Sequence, residues 1–306
     1  MILIITHKAD FTADYVINKL NLLNIPYYRF NCEDVLDRYY SIEIVDRIKY
    51  SLNGNNTFSA VWFRRTKLPE FKGQPLETRA FLQGEVRCFF DNLFSIIPAR
   101  WLSPPMNVYR AENKILQLQE ATKIGFTIPD TIVTNSRELI KEFYYRHGKE
   151  VIIKPLYNNK LMVEGRLGLI YTSRIKQQYI DEIDQYLISP SIVQSEIKKE
   201  YELRVTVVGN NVFPASVNSQ SDRDTIIDWR KKRLRFNSYK LPDDIKRKCI
   251  ELVNTLGLSF GAIDLVKSTD GKYYFLEINP NGQWAWIEND TGLKISDAII
   301  NYLYSA

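Results

Sequence analysis

At 306 residues, with 45% hydrophobic and 25% charged residues, the chain has the make-up of an ordinary soluble globular protein of two or three lobes. Three widely spaced cysteines argue against a disulfide framework, two histidines without cysteine pairs against a zinc site, and the lack of a long apolar run against a membrane span. The net charge of +5 suits anions such as nucleotides or an acidic peptide and is too thinly spread for a nucleic-acid stripe. Met1-Ile-Leu-Ile-Ile-Thr6 reads as a buried first strand and not as a signal peptide, so a reducing cytoplasm is the expected compartment. Helical periodicity over Thr12–Leu23 and a strand at Pro26–Phe30 follow. Further strands are expected at Glu43–Ile48 and Ala60–Arg64, parted by the turn signal Asn53-Gly54-Asn55, before a long helix over Glu77–Ser95. Pro104-Pro105 marks the first boundary. Beyond it a helix is expected over Arg110–Thr122, capped by Gly125, then strands at Val151–Lys154, Leu167–Tyr171 and Ile192–Ser195. The last section has strands at Leu203–Val208, Val212–Val217, Gly261–Lys267 and Tyr273–Asn279, with a helix at Asp243–Leu256.

The densest chemistry lies near the C-terminus. Asp264 sits inside an apolar strand, and the turn Thr269-Asp270-Gly271 returns the chain through Glu277 and Asn279, which alternation puts on one face. Antiparallel pairing can bring Asp264 to that face. Two carboxylates and an amide are hard oxygen donors suited to Mg²⁺ shared with phosphate; the bland alternative is a pair of buried carboxylates with structural partners. Lys154 ends a strand and is well placed to meet nucleotide phosphates as a point charge, and Lys114 lies on the helix after the boundary. Taken singly, either lysine is an ordinary surface residue. Between them, Gln194-Ser-Glu-Ile197 can expose backbone groups to an adenine edge, and a carboxylate a few residues on can take ribose hydroxyls.

This order of pieces (Lys114, Ile153-Lys154-Pro155, Glu196-Ile197, Glu202-Leu203-Arg204, Asp264, Glu277, Asn279) resembles the ATP-grasp superfamily over essentially the full chain. The resemblance implies an α/β (α+β) ATP-grasp fold behind an N-terminal pre-ATP-grasp α/β domain, divided as 1–105, 106–197 and 198–306. It implies that Lys114 and Lys154 hold phosphates of ATP, that Glu196 and Ile197 meet adenine through their backbone and Glu202 the ribose, and that Asp264, Glu277 and Asn279 bind Mg²⁺. Arg110-Ala-Glu-Asn-Lys114, Gly125–Pro129, Thr131–Asn135, Asp228-Trp-Arg230 and the ending Glu277–Glu288 are similar to the microviridin-type maturases, or graspetide synthetases, including the grasp-with-spasm group. Those enzymes join Asp or Glu side chains of a precursor peptide, made of a leader and a core, to Thr/Ser hydroxyls or to Lys. The related glutamate ligases tend to follow the metal triad with small residues, where this chain has Gln283-Trp284-Ala-Trp286, and carry Asn where it has Lys232. A second departure is the segment Leu156–Arg166, with Gly165 in place of a glycine-rich lid; Asn158, Asn159 and Lys160 are its candidate substitutes.

The reaction so implied is two-step. A peptide carboxylate takes the γ-phosphoryl group of ATP, and a hydroxyl or amine of the same peptide then displaces phosphate from the acyl phosphate. Arg204 and Arg230 are the candidates for the developing charge; for Arg204 an ion pair with Glu202 or Glu277 is the alternative. The polar, basic and aromatic stretch Val217–Phe236 is expected to border the peptide through Asp228 and Arg230, or else to be a solvated β-hairpin. Trp284 and Trp286 are expected to pack in the core. Competing functions are addition of amino acids to a protein tail or small molecule, and a nucleotide-binding module without catalysis. No nucleic-acid or membrane partner is expected, and a homodimer is compatible with the sequence.

Overall fold

The structure, a computed structural model, describes residues 1–157, 160–163, 166–186 and 188–305, with the side chains of these except 160–167 and 169. Asn158, Asn159, Gly165 and the Lys160 side chain therefore lie outside the described residues.

Two apolar runs with no polar alternation, β1 (Ile2–Thr6) and Ala60–Phe63, are buried along their whole lengths because they lie at the centre of a parallel sheet. In chain order this lobe comprises β1, α1 (Phe11–Leu22), β2 (Tyr27–Asn31), β3 (Tyr40–Ile44), β4 (Ile48–Leu52), β5 (Ala60–Phe63), α2 (Leu76–Ile96) and β6 (Arg100–Leu102). The sheet order is β2-β1-β5-β6, so strand order reverses between β1 and β5. One expectation is corrected here. The strand expected at Glu43–Ile48 is the tip of a hairpin, with Ile44 facing Ile48 and residues 45–47 between them. The β-branched run there misleads because Ile44 and Val45 are each 72% exposed, while Tyr40 and Tyr50 do the packing.

The helix expected over Arg110–Thr122 is two helices, α3 (Pro105–Ala111) and α4 (Lys114–Ile124). Asn113 breaks it: its side chain accepts from the N–H groups of Ile115 and Leu116 at 3.1 and 3.0 Å, which caps a new helix. Gly125 ends α4 in the left-handed conformation, φ 88°, as expected. Next come β7 (Thr131–Thr134), α5 (Arg137–Arg146), β8 (Val151–Lys154), β9 (Lys160–Val163), β10 (Arg166–Leu169), β11 (Ser173–Arg174), α6 (Gln177–Asp181) and β12 (Ser191–Ser195). Sheet β11-β8-β12-β7 has a small core of its own, centred on Ile140, Phe143, Val151 and Val193.

The C-terminal sheet, order β15-β14-β13-β16-β17, is built from β13 (Lys199–Val208), β14 (Asn211–Val217), β15 (Asn237–Ser238), β16 (Phe260–Ser268) and β17 (Tyr273–Asn279), with α7 (Asp243–Thr255) packed on it. Helices α8 (Ala285–Thr291) and α9 (Ile295–Tyr304) follow. Its buried residues share clusters with those of the N-terminal lobe. Val217–Phe236 is not a β-hairpin. Asn218, Asp222 and Asp228 turn their side-chain oxygens onto backbone N–H groups two residues ahead, which favours turns over strand pairing, and 3₁₀ turns form at Ser219–Ser221 and Trp229–Lys231. Among the described residues no helix is long and apolar enough to cross a membrane.

Candidate active site

All three lobes line one cleft of about 920 Å³. Its floor is the β16–β17 hairpin. Asp264 faces Glu277 across the ladder, a bulge follows at Leu265, and Asn279 Nδ2 lies 3.5 Å from Asp264 Oδ2. The turn after β17 closes with the Gly282 N–H donating to the Asn279 carbonyl at 3.1 Å. A Cβ at 282 would stand 2.5 Å from the Ala262 Cβ, so the Asn-Pro-Asn-Gly ending needs glycine to fold back on β16.

Cations from separate elements converge on these carboxylates. Lys114, the first residue of α4, places Nζ 3.0 Å from Glu277 Oε2, and Arg230 Nη1 lies 3.7 Å from Glu277 Oε1. Burial alone would raise the Glu277 pKa, but Lys114, Lys154 and Arg230 hold it well below the usual carboxylate range. Asp264 goes the other way: burial raises it, against the pull of Arg204, whose Nη1 is 3.2 Å from Asp264 Oδ1. Arg204 thus pairs with neither Glu202 nor Glu277; it sits opposite Asp264 in the ladder and stands behind the cleft wall. Lys154 ends β8 in the cleft, and burial lowers its pKa to about 8.

Asp228 is buried and grips Arg230 with two hydrogen bonds of 2.8 Å while accepting the Thr172 N–H at 3.2 Å. The paired carboxylate raises the Arg230 pKa despite its burial, so this guanidinium is a fixed charge. Its 3₁₀ turn rests on an aromatic cluster: Trp229 lies 5.1 Å from Phe236 and 5.7 Å from Trp286, ring to ring. Trp286 is held there, and Trp284 is fully buried edge-on to Tyr15, so both tryptophans pack as expected.

At the far end of the cleft, the Glu196 N–H donates to the Glu150 carbonyl at 2.9 Å, and the Glu196 carboxylate pairs with Arg174. Ile197 follows on the same wall. Glu202 is buried and accepts from Lys199 Nζ at 2.9 Å. The structure therefore brings Lys114, Lys154, Glu196, Ile197, Glu202, Asp228, Arg230, Asp264, Glu277 and Asn279 to one cavity, with Arg204 supporting Asp264 from outside it. The floor suits a divalent cation. Asp264 and Glu277 put their carboxylates together with the Asn279 amide beside Asp264, both carboxylates are enclosed, and Glu277 already draws two cations; phosphate oxygens would complete such a shell.

Four contributors escaped the sequence reading. Gln117, a buried polar residue within α4, accepts from the Ile278 N–H at 3.0 Å and donates to the Ile278 carbonyl at 2.9 Å, strapping α4 to the floor. Arg64 forks onto Asp10 at 3.2 Å, a pair buried to 1% exposure that also caps α1. Arg65, from the N-terminal lobe, and Glu112, at the end of α3, also line the cleft. The signal for the arginines was a charged pair closing a fully apolar strand beside the point where strand order reverses, where open α/β sheets take their ligands.

A family model described as a RimK-like ATP-grasp domain matches residues 111–303. The RiPP-associated ATP-grasp ligase of Chryseobacterium gregarium, solved in complex with ADP and a leader and core peptide, is 30% identical with a TM-score of 0.89, over 99% of this chain and 96% of that one. The macrocyclase MdnC of Microcystis aeruginosa MRC, solved with precursor peptide MdnA, is 28% identical with a TM-score of 0.86 over 99% of both chains. The ribosomal protein bS6–L-glutamate ligase of Escherichia coli O7:K1 (strain IAI39 / ExPEC) is 21% identical over 278 residues, 89% of each chain. The chain therefore belongs to the RimK-like ATP-grasp family of ATP-dependent ligases.

Proposed function

We propose that this enzyme phosphorylates Asp or Glu side chains of a ribosomally made precursor peptide with ATP and closes intramolecular ester or amide bonds, releasing ADP and phosphate. The observation that carries this reading is the full-length likeness, N-terminal lobe included, to two ligases solved with their peptides. A carboxylate is a poor electrophile, and phosphorylation supplies the leaving group. The protein's share is position and charge. Lys114 and Lys154 face the phosphates. The Glu196 carbonyl and Ile197 N–H meet the adenine edge, the Glu196 N–H being already engaged, and Glu202 takes the ribose. Asp264, Glu277 and Asn279 hold Mg²⁺, which supplies neutralisation of phosphate charge. Arg230, locked by Asp228, meets the acyl-phosphate oxygens at the edge of the peptide site, and Arg204 keeps Asp264 in place. The reading puts the enzyme in the cytoplasm, with its ATP.

Likeness to glutamate ligases supports the rival reading, in which residues are added to a protein tail. Co-expression with a Thr- and Glu/Asp-rich peptide encoded by a small neighbouring reading frame separates the two. Ring closure removes water, a change of about −18 Da per ring, because acyl activation expels one oxygen of the carboxylate. A product heavier by whole residues supports glutamate addition, and an unchanged peptide without ADP release supports a non-catalytic module.

A further inference from the structure

Six carboxylates line the cleft. Among the described residues, five of them are ion-paired: Glu196 with Arg174, Glu202 with Lys199, Asp228 with Arg230, Asp264 with Arg204 and Glu277 with Lys114. Glu112 alone has no such pair. It stands at the helix break, where its N–H completes α3 on the Val108 carbonyl at 3.1 Å and Asn113 begins α4. Its backbone is thus fixed from both sides. Two residues on, Lys114 reaches the carboxylate floor, so Glu112 and the phosphate-facing cations share one wall.

We propose that Glu112 is the general base of the ring-closing step, a role that rests on the macrocyclase reading. As the acceptor hydroxyl oxygen bonds to the acyl carbon, its proton passes to a Glu112 carboxylate oxygen. The bond from acyl carbon to phosphate oxygen breaks, and inorganic phosphate leaves with that electron pair. No oxidant or further reactant enters. The five paired carboxylates are poorly suited to the task, since their lone pairs already face cations. Burial strengthens Glu112 as a base, opposed by the nearby Arg65 charge; Tyr109 is its other titratable neighbour.

The test uses the whole enzyme, Mg-ATP and the leader-plus-core peptide of the neighbouring reading frame, with and without hydroxylamine, which captures an acyl phosphate as hydroxamate without needing a protein base. Glu112→Gln should slow ring closure about 10²- to 10⁴-fold. Hydroxamate formation and its ADP release should stay within about twofold of wild type, because only the second step needs the base. Retained hydroxamate also reports a folded enzyme. Glu112→Asp, with its carboxylate one methylene short, should regain part of the lost rate. Undiminished ring closure in Glu112→Gln, parallel loss of rings and hydroxamate, or no gain in Glu112→Asp each overturns the assignment. Wild-type enzyme that makes neither rings nor hydroxamate would sink the macrocyclase reading itself, and this role with it.

Discussion

Lys154 is a charge delivered by a strand. Val151 is buried in the core of the central lobe with Ile153 packed against it, and the last side chain of the strand emerges into the cleft, close enough to Glu277 and Lys114 to feel both charges. Burial lowers its pKa to about 8, with Lys114 and Arg230 adding to the shift and Glu277 opposing it. The proton is therefore held below that value and lost as pH rises through it. Only the protonated form can meet a phosphate as a cation, so kcat/KM for ATP should fall above about pH 8. Bound nucleotide pulls the proton back on, and kcat should persist to higher pH. Lys154→Arg keeps its charge throughout and should lose this alkaline limb, while Lys154→Ala should cost roughly 10²- to 10³-fold in rate, as removal of a charge-stabilising donor does. ADP release followed from pH 6 to 10 (about the range a lysine so shifted demands) checks this. The same alkaline limb in wild type and Lys154→Arg would exclude Lys154 as its source.

At the scale of elements, the outer edge of β17 decides where Lys114 goes. Ile278 turns its N–H and carbonyl away from β16, and the Gln117 carboxamide answers both, standing in for the peptide group of a missing strand. Its amide also donates to the Ala111 carbonyl at 2.6 Å, so one side chain ties α3, α4 and β17 together. Gln117→Leu fills the space but strands buried backbone groups, at about 1–3 kcal/mol each. We expect a loss of about 2 kcal/mol or more in urea unfolding, together with slower ADP release as Lys114 drifts from Glu277. A loss under about 0.5 kcal/mol, typical of an inert surface change, would refute the strap. None of this was legible beforehand, because a glutamine within a helix pattern carries no mark of its tertiary partner. The β16–β17 hairpin was legible: alternation put Glu277 and Asn279 on one face, and the turn signal brought Asp264 to them. The helix break was half legible. Asn113 is a good cap residue, but the apolar rhythm of Val108, Ala111, Ile115 and Leu118 runs straight through it. Val217–Phe236 failed as a hairpin for the reason that makes it useful, since its Asn and Asp side chains hold turns that aim Arg230 at the floor.

Across the whole molecule, the N-terminal and C-terminal lobes share their apolar core, whereas the central sheet keeps a separate one. Helix α1 is also bolted to the C-terminal helices: Lys19 Nζ lies 3.1 Å from buried Glu288 and 2.9 Å from Asp297, and Tyr15 donates to Glu288 at 3.0 Å. The cleft joins the two bodies through charge, as Lys154 of the central lobe looks onto Glu277 of the C-terminal one. Glu277 can be neutralised by Lys114 and Arg230 or by a metal, and nucleotide phosphates compete for the same two cations. ADP without a divalent cation would draw Lys114 and Arg230 away and leave the enclosed Glu277 carboxylate short of its partners, whereas Mg²⁺ arriving with it would restore the balance. Nucleotide stabilisation should therefore depend on the metal. Mg-ADP at a hundredfold excess over its Kd should add about 2.7 kcal/mol to unfolding. With EDTA the same ADP concentration should add much less, and Glu277→Gln, which holds the cations weakly and binds metal poorly, should lose most of the difference between the two conditions. Thermal melts of wild type and variant under both conditions measure it. Equal stabilisation by ADP with and without Mg²⁺ in the wild type would remove the metal from the Asp264–Glu277–Asn279 floor.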